Sequence, residues 1–366
     1  MRKGILGLTA ATALLLTSVA ACGDDSGDKK SGDGGAKATD KIGVILPDSK
    51  SSDRWETQDR PALAKAFDAA GVKYDIQNAQ GDKNAFQTIA DQMLTSGVKV
   101  LLIVNLDSGT GKAVIDKATA AGVPVIDYDR PTLGGGAKYY VSYDNVKVGK
   151  LQGEGLVKCL TDKGVKKPIV AELNGSPTDN NATLFKEGYD SVLKPKYDSG
   201  EFVKGPDQSV PDWDNAKGGT IFEQMLTSTP KIAGVLAAND GLGGAALAIL
   251  KKQKLNGTVP VTGQDATVPG LQSILTGDQC MTVFKDSVAE GTAAANLAVS
   301  LLKGEQGKTN ATFTDPTNKA QIPAQLLDPV AIYKENVKDV ITAGAVTKDK
   351  VCTPELAKAC TDAGIQ

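Results

Sequence analysis

The stretch VKVLLIVN at 98–105 decides the reading of the fold. An apolar run of this length suits a strand covered on both faces, as in the middle of a parallel sheet. A helix follows to about Ala121, Gly122 stops it, and VPVIDYD at 123–129 is the next strand. The same rhythm extends outward. Upstream lie strands at KIGVILP (41–47) and KYDIQNA (73–79), with a helix to about Ala70 and another over 84–96, where Phe86, Ile89, Ala90, Met93 and Leu94 share one face. Downstream come strands at YYVSYD (139–144), PIVAELN (168–174), 201–205, IAGVLAAN (232–239), 259–265 and CMTVFK (280–285). Helices are expected over 146–161, 181–193, 215–227, 242–252 and 287–302. Such alternation argues α/β architecture, with doubly wound parallel sheets and helices on both faces. The chain has 366 residues, more than one hydrophobic core holds, so two lobes are expected, divided near Asp144–Asn145.

The first residues read as an address. Arg2 and Lys3 precede an uncharged stretch of small and apolar residues to 21, which fits a signal peptide over 1–21. It ends in Val19-Ala20-Ala21-Cys22, which is similar to the lipobox of bacterial lipoproteins. That likeness implies cleavage before Cys22 and a diacylglycerol on its sulfur, hence a membrane partner through the lipid anchor alone and a place outside the cytoplasm. Residues 23–40, GDDSGDKKSGDGGAKATD, bury no face and read with Cys22 as a flexible tether.

Composition narrows the function. The formal net charge is −2, and no basic stripe marks a nucleic-acid partner. There is no histidine anywhere, which removes the commonest general base and metal ligand. No metal and no cofactor is expected. The run Gly241–Ala246 fits GxGxxA in outline, but Asn239 and Asp240 stand where a strand should run straight into the first glycine. Beside Cys22, the cysteines are Cys159, Cys280, Cys352 and Cys360. An even remainder in an exported chain suggests two disulfides. Cys352 with Cys360 would close a short loop worth roughly 2–3 kcal/mol, which leaves Cys159 with Cys280; free buried thiols are the alternative.

In open parallel sheets ligands bind at the carboxyl ends of the strands. After the first strand comes Asp53-Arg54-Trp55, after the fourth Asp129-Arg130, and after the sixth the run Asn174–Asn181. Then follow Trp213, Asn239-Asp240, Gln264-Asp265 and Lys285. Carboxylates, a guanidinium fork and amides suit the hydroxyl rim of a sugar, and flat indoles suit its C–H faces. The only two tryptophans, Trp55 and Trp213, fall one in each lobe, at loop rather than core positions.

At these residues a resemblance becomes specific. DRWETQDR (53–60), VIDYDRP (125–131), SYDNVKVGKLQ (142–152), GSPTDNNATLF (175–185), AANDGLGGA (237–245), TGQDA (262–266) and MTVFK (281–285) resemble the xylose-binding branch of the type I periplasmic sugar-binding proteins, over about 41–341. The resemblance implies that Arg54, Asp129, Arg130, Asn181, Asn239, Asp265 and Lys285 hold a sugar, with Trp55 and Trp213 against its two faces. It implies three crossings between lobes, near Asp144–Asn145, Lys285–Ser287 and roughly 312–324. The N-terminal lobe would take 41–144 and 287–318, and the C-terminal lobe 145–286 and 319–366. The expected function is non-enzymatic: a monomeric receptor closes on a monosaccharide, D-xylose first, and passes it to the permease subunits of an ABC importer. Glucose, arabinose or ribose as ligand, or service as a sugar sensor, are the alternatives.

Overall fold

The computed structural model describes residues 40–365; the leader, Cys22 and the tether through residue 39 lie outside them. Among the described residues twelve strands run in chain order: β1 (Lys41–Leu46), β2 (Lys73–Asn78), β3 (Val100–Ile103), β4 (Val125–Tyr128), β5 (Tyr139–Tyr143), β6 (Ile169–Asn174), β7 (Val203–Ser209), β8 (Ile232–Ala237), β9 (Thr282–Phe284), β10 (Ala311–Thr314), β11 (Gln321–Leu327) and β12 (Val330–Ile332). The main helices are α1 (Arg60–Ala70), α2 (Lys83–Thr95), α3 (Ser108–Ala120), α4 (Asn145–Asp162), α5 (Asn180–Asp198), α6 (Asn215–Ser228), α7 (Asp240–Lys252), α8 (Val268–Thr276) and α9 (Ser287–Leu302). Short helices follow β12. Among the described residues no helix is long and apolar enough to cross a membrane.

The first lobe is built on a seven-stranded sheet in the order β10-β11-β5-β4-β3-β1-β2. It is parallel except where β10 runs against β11. The pleat sends alternate residues to opposite faces. Ile42, Val44 and Leu46 of β1, with Val100 and Leu102 of β3, pack on one side with Phe67 of α1 and Ala294 and Ala298 of α9. Ile45, Leu101 and Ile103 pack on the other with Phe86 and Met93 of α2 and Val114 of α3. The apolar run around 98–105 is therefore a middle strand buried on both faces.

The second lobe has a parallel sheet in the order β7-β6-β8 and an antiparallel pair of β9 with β12. The expected strand over 259–265 shrinks to a single bridge from Val261 to Val235. The Thr262 hydroxyl takes over the next place in the ladder, accepting from the Ala237 amide at 3.0 Å and donating to its carbonyl at 3.1 Å. Asp265 and Ala266 then turn into positive φ. Helices α4 and α5 cross closely, because Gly149 and Gly188 each offer no Cβ where the other helix's backbone passes. Disulfides join Cys159 of α4 to Cys280, and Cys352 to Cys360 in the C-terminal segment.

The chain passes between lobes between β5 and α4, between β9 and α9, and between β11 and β12. The third crossing departs from the expected 312–324. β11 pairs in parallel with β5 from Ala324–Tyr140 to Leu327–Tyr143, so 319–327 completes the first sheet. Only at β12, paired with β9, does the chain reach the second lobe. The hairpin β10–β11 buries Ile322 and Ala324 against Tyr140, and that contact outweighs an early exit. The crossings are tied together. Tyr143 Oη donates to the Asp286 carbonyl at 2.8 Å, and the Asp144 amide to the Leu327 carbonyl at 3.0 Å.

Candidate functional site

The carboxyl ends of the strands in both lobes face one pocket with about 290 Å³ of empty space. Eight of the nine expected residues line it: Trp55, Asp129, Arg130, Asn181, Trp213, Asn239, Asp265 and Lys285. Arg54, the ninth, stands behind the wall. Its guanidinium lies 4.6 Å from the Trp55 ring centroid, and its Nη1 donates to Asp129 at 3.2 Å. Ser51, Ser52, Asp179, Phe185 and Gln264 complete the lining. Of these, Ser51, Ser52 and Phe185 were not singled out from sequence. Phe185 lies four residues after Asn181 on α5, the spacing that puts two side chains on one helix face, and that signal was available.

Each side chain is placed by local backbone chemistry. Asp129 follows β4 with φ +61°, a left-handed conformation that Asp tolerates better than most residues. Its amide donates to the Val141 carbonyl at 2.8 Å, which fixes the turn. Asp265 sits at φ +97° at the corresponding edge of the second lobe. Asn181 lies in the first turn of α5, capped by Asp179, whose carboxylate accepts from the Asn181 amide at 2.9 Å. Asn239 caps α7 by accepting from the Leu242 amide, which frees its Nδ2 to point across the cleft.

Both indoles differ from the loop positions expected of them. Trp55 opens a short π-helical turn (Trp55–Asp59), and Trp213 closes a 3₁₀ turn (Pro211–Trp213). Each is buried against its own lobe's core while still lining the shared pocket. Trp55 Nε1 donates to Ser51 Oγ and Trp213 Nε1 to Asp179 Oδ2, both at 3.1 Å. The guanidinium of Arg130 also lies over Trp55, 5.4 Å from its centroid. Cation–π attraction of this kind helps to hold the ring in place.

The lobes touch through charged and amide groups. Arg130 Nε pairs with Asp179 Oδ2 at 3.1 Å, and Lys285 Nζ with Asp129 Oδ2 at 3.2 Å. Ser52 Oγ donates to Asp265 Oδ2 at 2.9 Å, and Asn239 Nδ2 to the Ser51 carbonyl at 3.0 Å. Arg54 is held from beneath by Asp59, which accepts two bonds at 2.6 and 2.7 Å, and by Glu290 at 2.8 Å. Tyr128 Oη donates to the same Asp59 at 2.7 Å. A guanidinium gripped by two carboxylates at Nε and Nη2 presents its remaining nitrogen, Nη1, in one direction.

The electrostatics separate two buried carboxyls. Burial pushes Asp129 up, but Lys285, Arg54 and Arg130 outweigh it and hold the group down at about 2. Glu290 is pushed up to about 8, by burial first and then by Asp129, with Arg54 and Lys285 pulling the other way. Its Oε1 is buried with no partner, as suits a group that keeps its proton. Asp129 is therefore a fixed anion facing the pocket, and Glu290 a mostly neutral support behind it. An anion held by three cations neither donates nor takes up a proton near neutral pH. The described residues contain no group of three or more Cys, Asp or Glu arranged to hold a metal.

The sequence carries the same relationships into known proteins. Residues 42–306 match the model of the periplasmic binding protein domain. The chain is 34% identical to the D-xylose-binding periplasmic protein of Escherichia coli strain K12, over 95% of this chain and 98% of that one. It is also 34% identical to the multiple sugar-binding periplasmic receptor ChvE of Rhizobium radiobacter, over 94% and 98%. Among solved structures, an ABC transporter solute-binding protein of Clostridium phytofermentans with bound β-D-glucose superposes with a TM-score of 0.77 at 27% identity, covering 85% of this chain and 99% of that one. Relatives and neighbours alike are binding proteins rather than enzymes. With two α/β lobes joined by three crossings around one polar, indole-walled pocket, and a family match over most of its length, this chain belongs to the periplasmic sugar-binding proteins of the type I fold.

Proposed function

We propose that this chain is the extracytoplasmic receptor of an ABC importer, that it closes its lobes on a single monosaccharide, D-xylose before others, and that it hands the sugar to the permease subunits. The observation that carries the reading is the pairing of one indole from each lobe in a pocket otherwise walled by ionised groups and amides. Trp55 and Trp213 take the C–H faces of the ring. Asp129, Arg130, Asn181, Asn239, Asp265 and Lys285 take its hydroxyls, with Arg54 orienting Asp129 from behind the wall through Nη1. Charge-assisted hydrogen bonds of this type contribute roughly 1.5–3 kcal/mol each.

Closure follows from where the groups reside. Arg54, Trp55, Asp129 and Arg130 sit on one lobe and Asn181, Trp213, Asn239, Asp265 and Lys285 on the other, so the sugar meets its full set only when the lobes come together. Ligand that favours the closed arrangement shifts the population toward it. No bond in the sugar is made or broken. Cys22 would fix the monomeric receptor to the membrane through lipid, with the following residues as its tether. A wider range of aldoses is the second reading, favoured by the likeness to a multiple-sugar receptor.

Titration of the protein with D-xylose, D-glucose, L-arabinose and D-ribose, followed by tryptophan fluorescence, tests both. Tightest binding of D-xylose supports the first reading, and near-equal binding of several aldoses the second. No response to any of the four overturns the sugar receptor.

A further inference from the structure

Next to the inner pocket lies a second chamber, larger and closer to solvent. Its empty space is about 750 Å³ including its mouth, against about 290 Å³ for the inner pocket. Both lobes contribute to the outer chamber: Lys50, Gln80, Lys83 and Leu106 from the first, Ser176 and Asp212 from the second. The two chambers share Arg130, Asp179 and Trp213.

We propose that the outer chamber is a second sugar subsite, which seats the next ring of a short oligosaccharide whose terminal ring occupies the inner pocket. The proposal rests on the sugar-receptor reading and extends its ligand class from single rings to linked ones.

The chemistry of the lining favours a neutral, hydroxylated occupant. Two ammonium groups and the guanidinium of Arg130 stand among four carboxylates (Asp48, Asp179, Asp212 and Asp214), an amide and a hydroxyl, with Leu106 and the indole of Trp213 as the apolar surface. Acidic and basic groups are mixed rather than massed, so neither an anion nor a cation is selected. Lys83 is paired with Asp107 and Asp212 with Lys217; Lys83, Asp212 and Lys217 are exposed and only Asp107 is half-buried, so the two ammonium groups and Asp212 exchange partners at little cost.

The shared wall is built with unusual backbone. Asp212 and Trp213 are consecutive non-glycine residues with φ +59° and +56°. Such strain gathers where a ligand must be met at a set angle. It is held by the Asp212 amide donating to Ser176 Oγ at 3.1 Å, and by the bond from the indole to Asp179. Gly175 completes the arrangement: a Cβ there would overlap the six-membered ring of Trp213. The rest of the partition is the ion pair of Arg130 with Asp179, one partner from each lobe. A partition made of a cross-lobe ion pair parts when the lobes part, so a glycosidic linkage can be laid across it before the lobes close.

Calorimetric titration of the full chain with D-xylose and xylobiose, and with D-glucose and cellobiose, tests the proposal. At least one disaccharide is expected to bind within about tenfold of its own monosaccharide. Lys83→Trp and Lys50→Trp place bulk in the outer chamber from exposed positions outside the inner pocket. At least one of them should weaken the disaccharide about tenfold or more while leaving the monosaccharide within about twofold. Disaccharides more than about tenfold weaker than a bound monosaccharide overturn the subsite and leave the receptor standing. So does disaccharide binding that both variants leave unchanged. Failure of all four sugars overturns the subsite, and failure of L-arabinose and D-ribose as well overturns the receptor with it.

Discussion

The side-chain amide of Asn181, in the first turn of α5, donates to the backbone carbonyl of Asp129 across the cleft at 2.8 Å. Its Oδ1 meanwhile accepts from Asn145 Nδ2 at 2.9 Å and from Tyr140 Oη at 3.2 Å. One residue of the second lobe thus holds the strained turn of the first and one end of the hinge. Lobe closure and ligand geometry are coupled through it.

Asn181→Ala should therefore loosen closure more than folding. The expected loss is about tenfold to a hundredfold in sugar affinity, since one or two buried hydrogen bonds are worth roughly 1–3 kcal/mol. The unfolding midpoint in urea should change little, because each lobe keeps its own core. Small-angle scattering at saturating ligand would find a larger radius for any fraction left open. Unchanged affinity would remove Asn181 from the site.

Asp129→Asn keeps a side chain that tolerates positive φ and removes only charge. Affinity should fall by about a hundredfold or more, because the buried cations of Lys285 and Arg54 lose their shared anion. The wild-type carboxyl also predicts an acid dependence. Its folded pKa, about 2, lies below the ordinary 3.8. The stability it contributes is therefore present above pH 4 and lost as the pH falls toward 2. Chemical denaturation of wild type and variant between pH 2 and 5 should converge at the acid end.

Glu290 predicts the opposite slope. Its folded pKa, about 8, lies above the ordinary 4.5. Between those values the folded chain binds a proton that the unfolded chain has released, so stability falls as pH rises. Glu290→Gln removes that dependence while keeping an acceptor for Arg54. The variant should match wild type near pH 5 and exceed it near pH 8, by about 1 kcal/mol or more. Parallel stability curves across this window would mean that Glu290 is ionised throughout.

Gly175→Ala should act on the indole rather than on the fold. The added methyl meets Trp213, which must swing away from the pocket wall. Sugar affinity should drop at least about tenfold, with a shifted tryptophan emission maximum and a stability change of about 1–2 kcal/mol, as for a modest overpacking. Wild-type affinity in this variant would show that the ring position is not required.

Much of this molecule is set by local pattern. The apolar run at 98–105, the return of strand and helix on either side of it, and the polar residues that follow each strand place Trp55, Asp129, Arg130, Asn181, Trp213, Asn239, Asp265 and Lys285 at sheet edges from sequence alone. This works because a strand's direction fixes which end its loop leaves from, and parallel sheets bring those ends together. Other features depend on contacts that sequence spacing does not carry. Glu290 reaches Arg54 from 236 positions away. Phe185 enters the pocket because α5 packs on α4 at Gly149 and Gly188. The chain stays in the first lobe through Leu327 because β11 gains a partner in β5. Burial, and with it the separation of Asp129 from Glu290 in acidity, exists only once the lobes have formed, since the same carboxyl is ordinary in water and displaced when desolvated beside other charges.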